Sequence, residues 1–422
     1  MTGPVTTMTS TTTSCCPEYA AMSRRGLLKG AAALAGTTTV LGSAVVTASP
    51  ATAASAGSVL VVLSLRGAAD GLSLVVPHGD PVYYQARPRL AVPAERLVNK
   101  DGMFGMHPQL APLEPLWRSG RLAAVHATGL PVPNRSHFAA MEEVEDADAG
   151  SAERQGWLNR LVGTTAGDSP LQGFTMGGGV LPTSMYGDAP VMAAATLSHT
   201  RLPGDDQWDA TGGRVRSLHT LWDTDSSVLA GSMRSTFRAV EGLAPASTTA
   251  NNRARYPDGD LGAALSQVAR VIRGDVGVEV VTVDQGDWDM HTDVGNLEWG
   301  RMRSNAGRLA GSIAAFFDDL GDQAPKVTLV ALSEFGRRVQ ENANWGLDHG
   351  YGNVMLLAGA GVKGGRYYGS WPGLTNDLDS DLLVTTDYRS VLSEVVTTRF
   401  SASTAAVFPG FTPEGVGVMT SL

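Results

Sequence analysis

The chain has 422 residues, 43% of them hydrophobic, and a formal net charge of −9. An acidic chain without a basic stripe is poorly matched to nucleic acid or to an anionic membrane surface. Its only cysteines, Cys15 and Cys16, are adjacent near the N-terminus, so the rest of the chain has no disulfide framework, no cysteine nucleophile and no thiolate metal ligand.

The first element reads as an address. In "SRRGLLKG" (23–30), Ser23, Arg24 and Arg25 precede Leu27, Leu28 and Lys29, and an uncharged stretch of small residues runs from Ala31 to Val46. That stretch is too short and too rich in Ala, Gly and Thr for a membrane span, while "ATAASAG" (51–57) offers small-x-small cleavage points. Residues 1–56 are therefore expected to be a twin-arginine signal peptide cut near Ala56, with the product in the periplasm, the cell wall or the medium. No membrane span is expected after its removal. Without Glu18, Arg24, Arg25 and Lys29, the remaining 366 residues hold 29 basic and 40 acidic side chains, a net of −11. They are enough to bury roughly three quarters of the unfolded surface in one large domain over 57–422. The route exports folded proteins, which leaves room for metal loading before secretion.

"SVLVVLSLRGAADG" (58–71) opens the mature chain with a continuous apolar run, as a central strand buried on both faces requires. Similar runs recur at 121–129, 278–286, 326–334 and 352–361. Amphipathic helices are expected at 260–274, stopping at Gly274, at 308–321, and as a capped helix over 385–400. Alternation of buried strand and amphipathic helix predicts an α/β fold, a three-layer α/β/α sandwich with a mostly parallel central sheet. The polar stretch at about 200–257 reads as an insertion with one helix around 223–241, followed by a loop over 244–260.

In such a sheet ligands bind beyond the carboxyl ends of the strands, and there ionisable residues recur. Asp70 follows the first strand. "PNRSHF" (133–138) lies past the second and places Ser136 beside Arg135 and His137 where a helix begins; a hydroxyl there most often serves as a cap, yet the position also suits an attacking oxygen and a bound oxyanion. "GDWDMH" (286–291) follows the third: Asp289 and His291, one residue apart, point the same way in an extended segment and suit one cation, with Asp287 as an alternative to Asp289. "SEFGRR" (333–338) puts Glu334 at a strand end near Arg337 and Arg338, and "LDHG" (347–350) precedes the fifth strand. Gly359, Gly361 and Gly364 spell G-x-G-x-x-G, but "RYYGSWPG" follows in place of a helix, so a dinucleotide turn fails on context. Neither a P-loop nor a G-x-S-x-G elbow is present.

These segments together, from "LRGAADGLSLVVPHGD" (65–80) through "GWLNRL" (156–161) and "DHGYGNVMLLAGAGVKGG" (348–365) to "TTDYRSVLSEVV" (385–396), resemble the bacterial family known as domain of unknown function 1501. That family looks like a distant branch of the alkaline phosphatase and sulfatase superfamily. The resemblance implies an alkaline phosphatase-like sheet with two metal ions at the strand ends, with Asp70, Asp289, His291, Glu334 and His349 as metal ligands. It implies Ser136 as nucleophile; Arg135 and His137 stand beside it, and Asp348 is expected to orient His349. The sequence departs from the superfamily where Phe335 replaces a histidine after Glu334, and "NRSHFAAM" lacks the sulfatase signature. The expected activity is metal-dependent hydrolysis of a phosphate or sulfate ester, small or polymer-borne, using Zn, Mn, Ca or Mg. The alternative is a non-catalytic secreted binding or assembly protein that keeps the hydrolase fold.

Overall fold

A computed structural model describes residues 38–41, 44–47, 55–148, 154–165, 169–178, 180–202 and 211–420. The twin-arginine stretch and both cysteines lie outside them, as do residues 203–210 of the expected insertion.

The main sheet contains, in chain order, β1 (Thr38–Leu41), β2 (Ala44–Thr47), β3 (Val59–Leu65), β4 (Leu122–Gly129), β5 (Gly173–Met176), β6 (Val191–Ala194), β7 (Val280–Gln285), β8 (Val327–Leu332), β9 (Asn353–Gly359), β10 (Arg366–Tyr368) and β11 (Thr386–Asp387). Their spatial order is β1-β2-β6-β5-β7-β3-β8-β9-β4-β10, with β11 also paired to β4. All five apolar runs are strands. Strands β5 and β6, only four residues each, were not anticipated from the sequence. Two short strands from the segment read as a leader form a hairpin, and β2 pairs antiparallel with β6 at the sheet edge.

Strands β6, β5, β7, β3 and β8 are mutually parallel, whereas β9 runs antiparallel to both its neighbours, β8 and β4. The physical reason lies in the connection. Residues 333–352 form no helix, and a parallel return requires a crossover, usually helical. This reversal matters for function. Residues just before β9 emerge at the same edge as residues just after β3, β4, β7 and β8.

Side-chain alternation splits β3 between two cores. Val59, Val61, Leu63 and Leu65 face one apolar cluster with helices α2 (Asp260–Arg273) and α3 (Arg301–Leu320). Leu60 and Val62 face the other, with α1 (His137–Asp146) and α4 (Tyr388–Phe400). The result is the expected three-layer sandwich. On α2 the residues at helical spacing, Leu261, Ala264, Leu265, Val268, Val271 and Ile272, are all buried. The N-terminus of α4 is capped by the Asp387 side chain, which accepts from Arg389 N–H. The 200–257 stretch carries more helix than expected: Gly213–Trp222, Val228–Gly242 and Ala244–Thr248. Among the described residues no helix is long and apolar enough to cross a membrane.

The glycine-rich turn leaves β9 at the edge opposite the ionisable residues. Gly359 and Gly361 have φ of +99° and +75°, a region that favours glycine, and strand β10 follows. A Cβ on Gly364 would lie 2.4 Å from both the backbone N and O of Leu122. Gly364→Ala is therefore expected to destabilise the fold by about 1–3 kcal/mol in chemical denaturation, while leaving ligand binding at the opposite edge unchanged.

Candidate metal centre

Three loops at one sheet edge bring together His137, Asp289, His291 and His349. His137 opens α1, Asp289 and His291 follow β7, and His349 precedes the reversed strand β9. One ligand atom each from His137, Asp289 and His349 fall within 4.8 Å of one another. His349 Nε2 lies 3.0 Å from His137 Nε2 and 2.9 Å from His291 Nε2. Asp289 Oδ1 lies 3.3 Å from His291 Nε2, 3.6 Å from His137 Nε2 and 3.8 Å from His349 Nε2. These separations straddle the edge of about 3.3 Å in a tetrahedron whose metal–nitrogen bonds are about 2.0–2.1 Å.

The other ring nitrogens reveal what the Nε2 atoms can do. His349 Nδ1 is 2.9 Å from the carbonyl of Arg135, His137 Nδ1 is 2.8 Å from Glu334 Oε1, and His291 Nδ1 is 2.8 Å from Asp348 Oδ1. A carbonyl or carboxylate oxygen accepts, so each Nδ1 carries a proton, and a ring that holds no second proton presents a bare lone pair at Nε2. His349 Nε2 thus has another imidazole nitrogen about 3 Å away on each of two sides. Only a shared proton or a cation makes that arrangement favourable. A carboxylate or carbonyl behind each imidazole is also the usual support for a metal-ligating histidine.

The surroundings are strongly polarised. Burial lowers the affinity of His137 for a proton, but hydrogen bonds with Asp289 and Glu334 outweigh it and raise its pKa to about 9. Burial disfavours the charged form of Asp289, yet hydrogen bonds with His137, His349 and Arg337 hold its carboxyl well below the usual range. Glu334 is likewise disfavoured by burial and held below its ordinary value chiefly by His137; it accepts from Gly67 N–H at 2.9 Å and Ser333 Oγ at 2.9 Å. For Asp348, too, the hydrogen bond with His291 overcomes the burial penalty and lowers the pKa.

Arg337 binds the loops together. Its side chain is fully buried, donating from Nη2 to Asp289 Oδ1 at 2.8 Å and to Gly67 O at 2.6 Å, from Nε to Ala68 O at 2.7 Å, and from Nη1 to Leu347 O at 2.9 Å. Asn353 helps by donating to Ala69 O and Phe335 O. Gly67 has φ of +105°, and a Cβ there would sit 2.5 Å from Asp289 N. The histidine side chains keep 12–28% of their surface exposed, so the centre opens on one side. A cleft of about 920 Å³ adjoins it, sharing His137 and Glu334.

The other expected site residues stand apart from this point. Asp70 is fully buried in a two-pronged pair with Arg87, at 2.5 and 3.0 Å. Glu334 stands behind His137. Asp287 pairs with Arg301. Ser136 is the exposed N-cap residue of α1, and its side chain makes no capping bond. The Arg135 guanidinium pairs with Asp381 while its carbonyl holds His349. Asp348 supports His291, a different ring from its sequence neighbour His349. Sequence reading gave His137 no ligand role and Arg337 no organising one. The helix-start position of His137, past the end of β4, was the available signal; nothing local marks Arg337 as a buried cation.

The profile of the family described as "Protein of unknown function (DUF1501)" matches residues 117–393, and the chain belongs to that family. The lipoteichoic acid synthase LtaP from Listeria monocytogenes is similar in structure at a TM-score of 0.33 and 9% identity, over 81% of this chain and 73% of that one. A protein in the alkaline phosphatase superfamily from Vibrio parahaemolyticus is similar at a TM-score of 0.27 and 12% identity, over 83% and 72%. No curated protein matches the sequence.

Replacing His137, His291 or His349 by Ala is expected to abolish stoichiometric metal in elemental analysis of the purified protein. Glu334→Gln should retain metal with affinity about 10–100-fold weaker, as for a partner behind a ligand. Asp70→Asn should instead lower stability by about 3–5 kcal/mol in urea, because it leaves a buried guanidinium without its counter-charge, and should leave metal content unchanged.

Proposed function

We propose that this DUF1501 member is a metal-dependent hydrolase of phosphate or sulfate esters, acting outside the cytoplasm after twin-arginine export. The observation that carries this reading is the grouping of ligand atoms from His137, Asp289 and His349 within 4.8 Å of one another, with His291 Nε2 2.9 Å from His349 Nε2, at the carboxyl edge of the sheet, open on one side. A donor set dominated by imidazole favours Zn²⁺ over Ca²⁺ or Mg²⁺. Such a cation, when bound, lowers the pKa of a coordinated oxygen and neutralises charge on an ester.

The chain's own residues supply the rest. Glu334, Asp348 and the Arg135 carbonyl fix the three rings, so little reorganisation is needed when a substrate arrives. Ser136 Oγ, exposed one residue before His137, is the attacking group in this reading. The Arg135 guanidinium, 43% exposed and paired with Asp381, stands at the same helix start and would meet an anionic ester only by leaving that partner. The adjoining cleft receives the organic part of the substrate. Its wall includes Phe138, Met141 and Val180, and its carboxylates outnumber its guanidinium groups, with Arg66 already bound to Glu145 and Asp284. An uncharged organic group suits such a cleft better than a second anionic one.

The test is turnover of aryl phosphate and aryl sulfate monoesters by zinc-loaded protein. We expect hydrolysis that a chelator abolishes and zinc restores, and that Ser136→Ala lowers at least about a hundredfold without loss of metal. Because protons compete with a cation for the same lone pairs, metal retained at pH 8 should be lost on dialysis at pH 5. Stoichiometric metal without turnover of any such ester would favour the non-catalytic binding reading.

A further inference from the structure

We infer that the centre holds a single divalent cation, and that Arg87 and Arg337 occupy by fixed positive charge the surroundings in which a second would need free carboxylates. The inference rests on the metal-binding reading above and departs from the two ions that the family resemblance implies.

Consider the carboxylates that the sequence offered as ligands or supports. Both oxygens of Asp70 are engaged by Arg87, which is itself fully buried and donates further to Ser73 Oγ at 3.1 Å and to the Val339 carbonyl at 2.9 Å. Releasing Asp70 to a metal would strand that guanidinium in the interior. Both oxygens of Glu334 are engaged as well, Oε1 by Gly67 N–H and His137 Nδ1, Oε2 by Ser333 Oγ. Asp348 Oδ1 serves His291 Nδ1 and Asn342 Nδ2. Asp289 already receives Arg337 on the oxygen that faces the histidines.

The imidazoles are committed too. Each has Nδ1 toward an acceptor and Nε2 beside another imidazole nitrogen, and a single Nε2 lone pair binds one cation. The resulting donor set serves one ion. Among the described residues a single group of three or more suitable side chains is close enough to hold a metal. A second ion would have to sit beside the Arg337 guanidinium, which five hydrogen bonds, four of them to main-chain carbonyls, prevent from turning away. Arg337 thus acts as a positioning residue that supplies permanent positive charge next to Asp289.

Two measurements on the full chain test this without reference to activity. Titration with Zn²⁺, followed by removal of loosely bound ion and elemental analysis, is expected to give one equivalent per chain. Electron paramagnetic resonance of Mn²⁺-loaded protein should show an isolated ion without spin coupling. Two equivalents, or a coupled Mn²⁺ pair, would overturn the single-ion inference while leaving the metal-binding reading intact. No retained metal of either kind would overturn both.

Discussion

The Arg337 guanidinium is the interaction on which the centre depends. A buried arginine is tolerated only when its donors are matched, and here the matching groups come from three separate loops: Gly67 and Ala68 after β3, Trp288 and Asp289 after β7, and Leu347 before β9. Satisfying one cation fixes the relative position of all three. The backbone strengthens this, since Arg337 and His349 face each other in an antiparallel bridge and Arg338 N–H donates to Asp348 O at 2.9 Å. Asp289, His291 and His349 are therefore held by a structural ion pair that never needs to touch a substrate.

Strand direction does the remaining work. With β7 and β4 pointing at the edge, residues that follow them arrive there directly; with β9 reversed, residues that precede it arrive instead. His349 reaches the cluster only because β9 is antiparallel. A parallel β9 would carry "LDHG" to the far edge, where the glycine turn now lies. The same reversal moves that turn away from the chemistry and leaves it a packing role.

Much of the framework was legible in the sequence. Five apolar runs became five strands and the helical spacing on 260–274 became a buried face, because burial on two sides or on one stripe leaves a periodic trace in local sequence. Asp289 and His291 were legible as a pair, since alternation in an extended segment puts both on one side. The ion pair of Asp70 was not legible, because Arg87 lies seventeen residues on and no local pattern announces a buried guanidinium. For the same reason Glu334 read as a ligand, although its oxygens are turned toward Gly67, Ser333 and His137. The helices at 213–222 and 244–248 were missed where polar composition masked them.

By itself the sequence determined the layer architecture, the placement of ionisable residues at strand ends and the family to which the chain belongs, since each is written in neighbouring residues or in short motifs. Only the tertiary structure decided which of those residues meet. Whether a carboxylate is a ligand, a support for a histidine or half of a buried ion pair depends on partners up to 267 residues away, and a hydrogen bond of about 3 Å has no signature in the spacing of the chain. The three Nε2 atoms came together through strand direction and one buried arginine, two features that no single motif encodes.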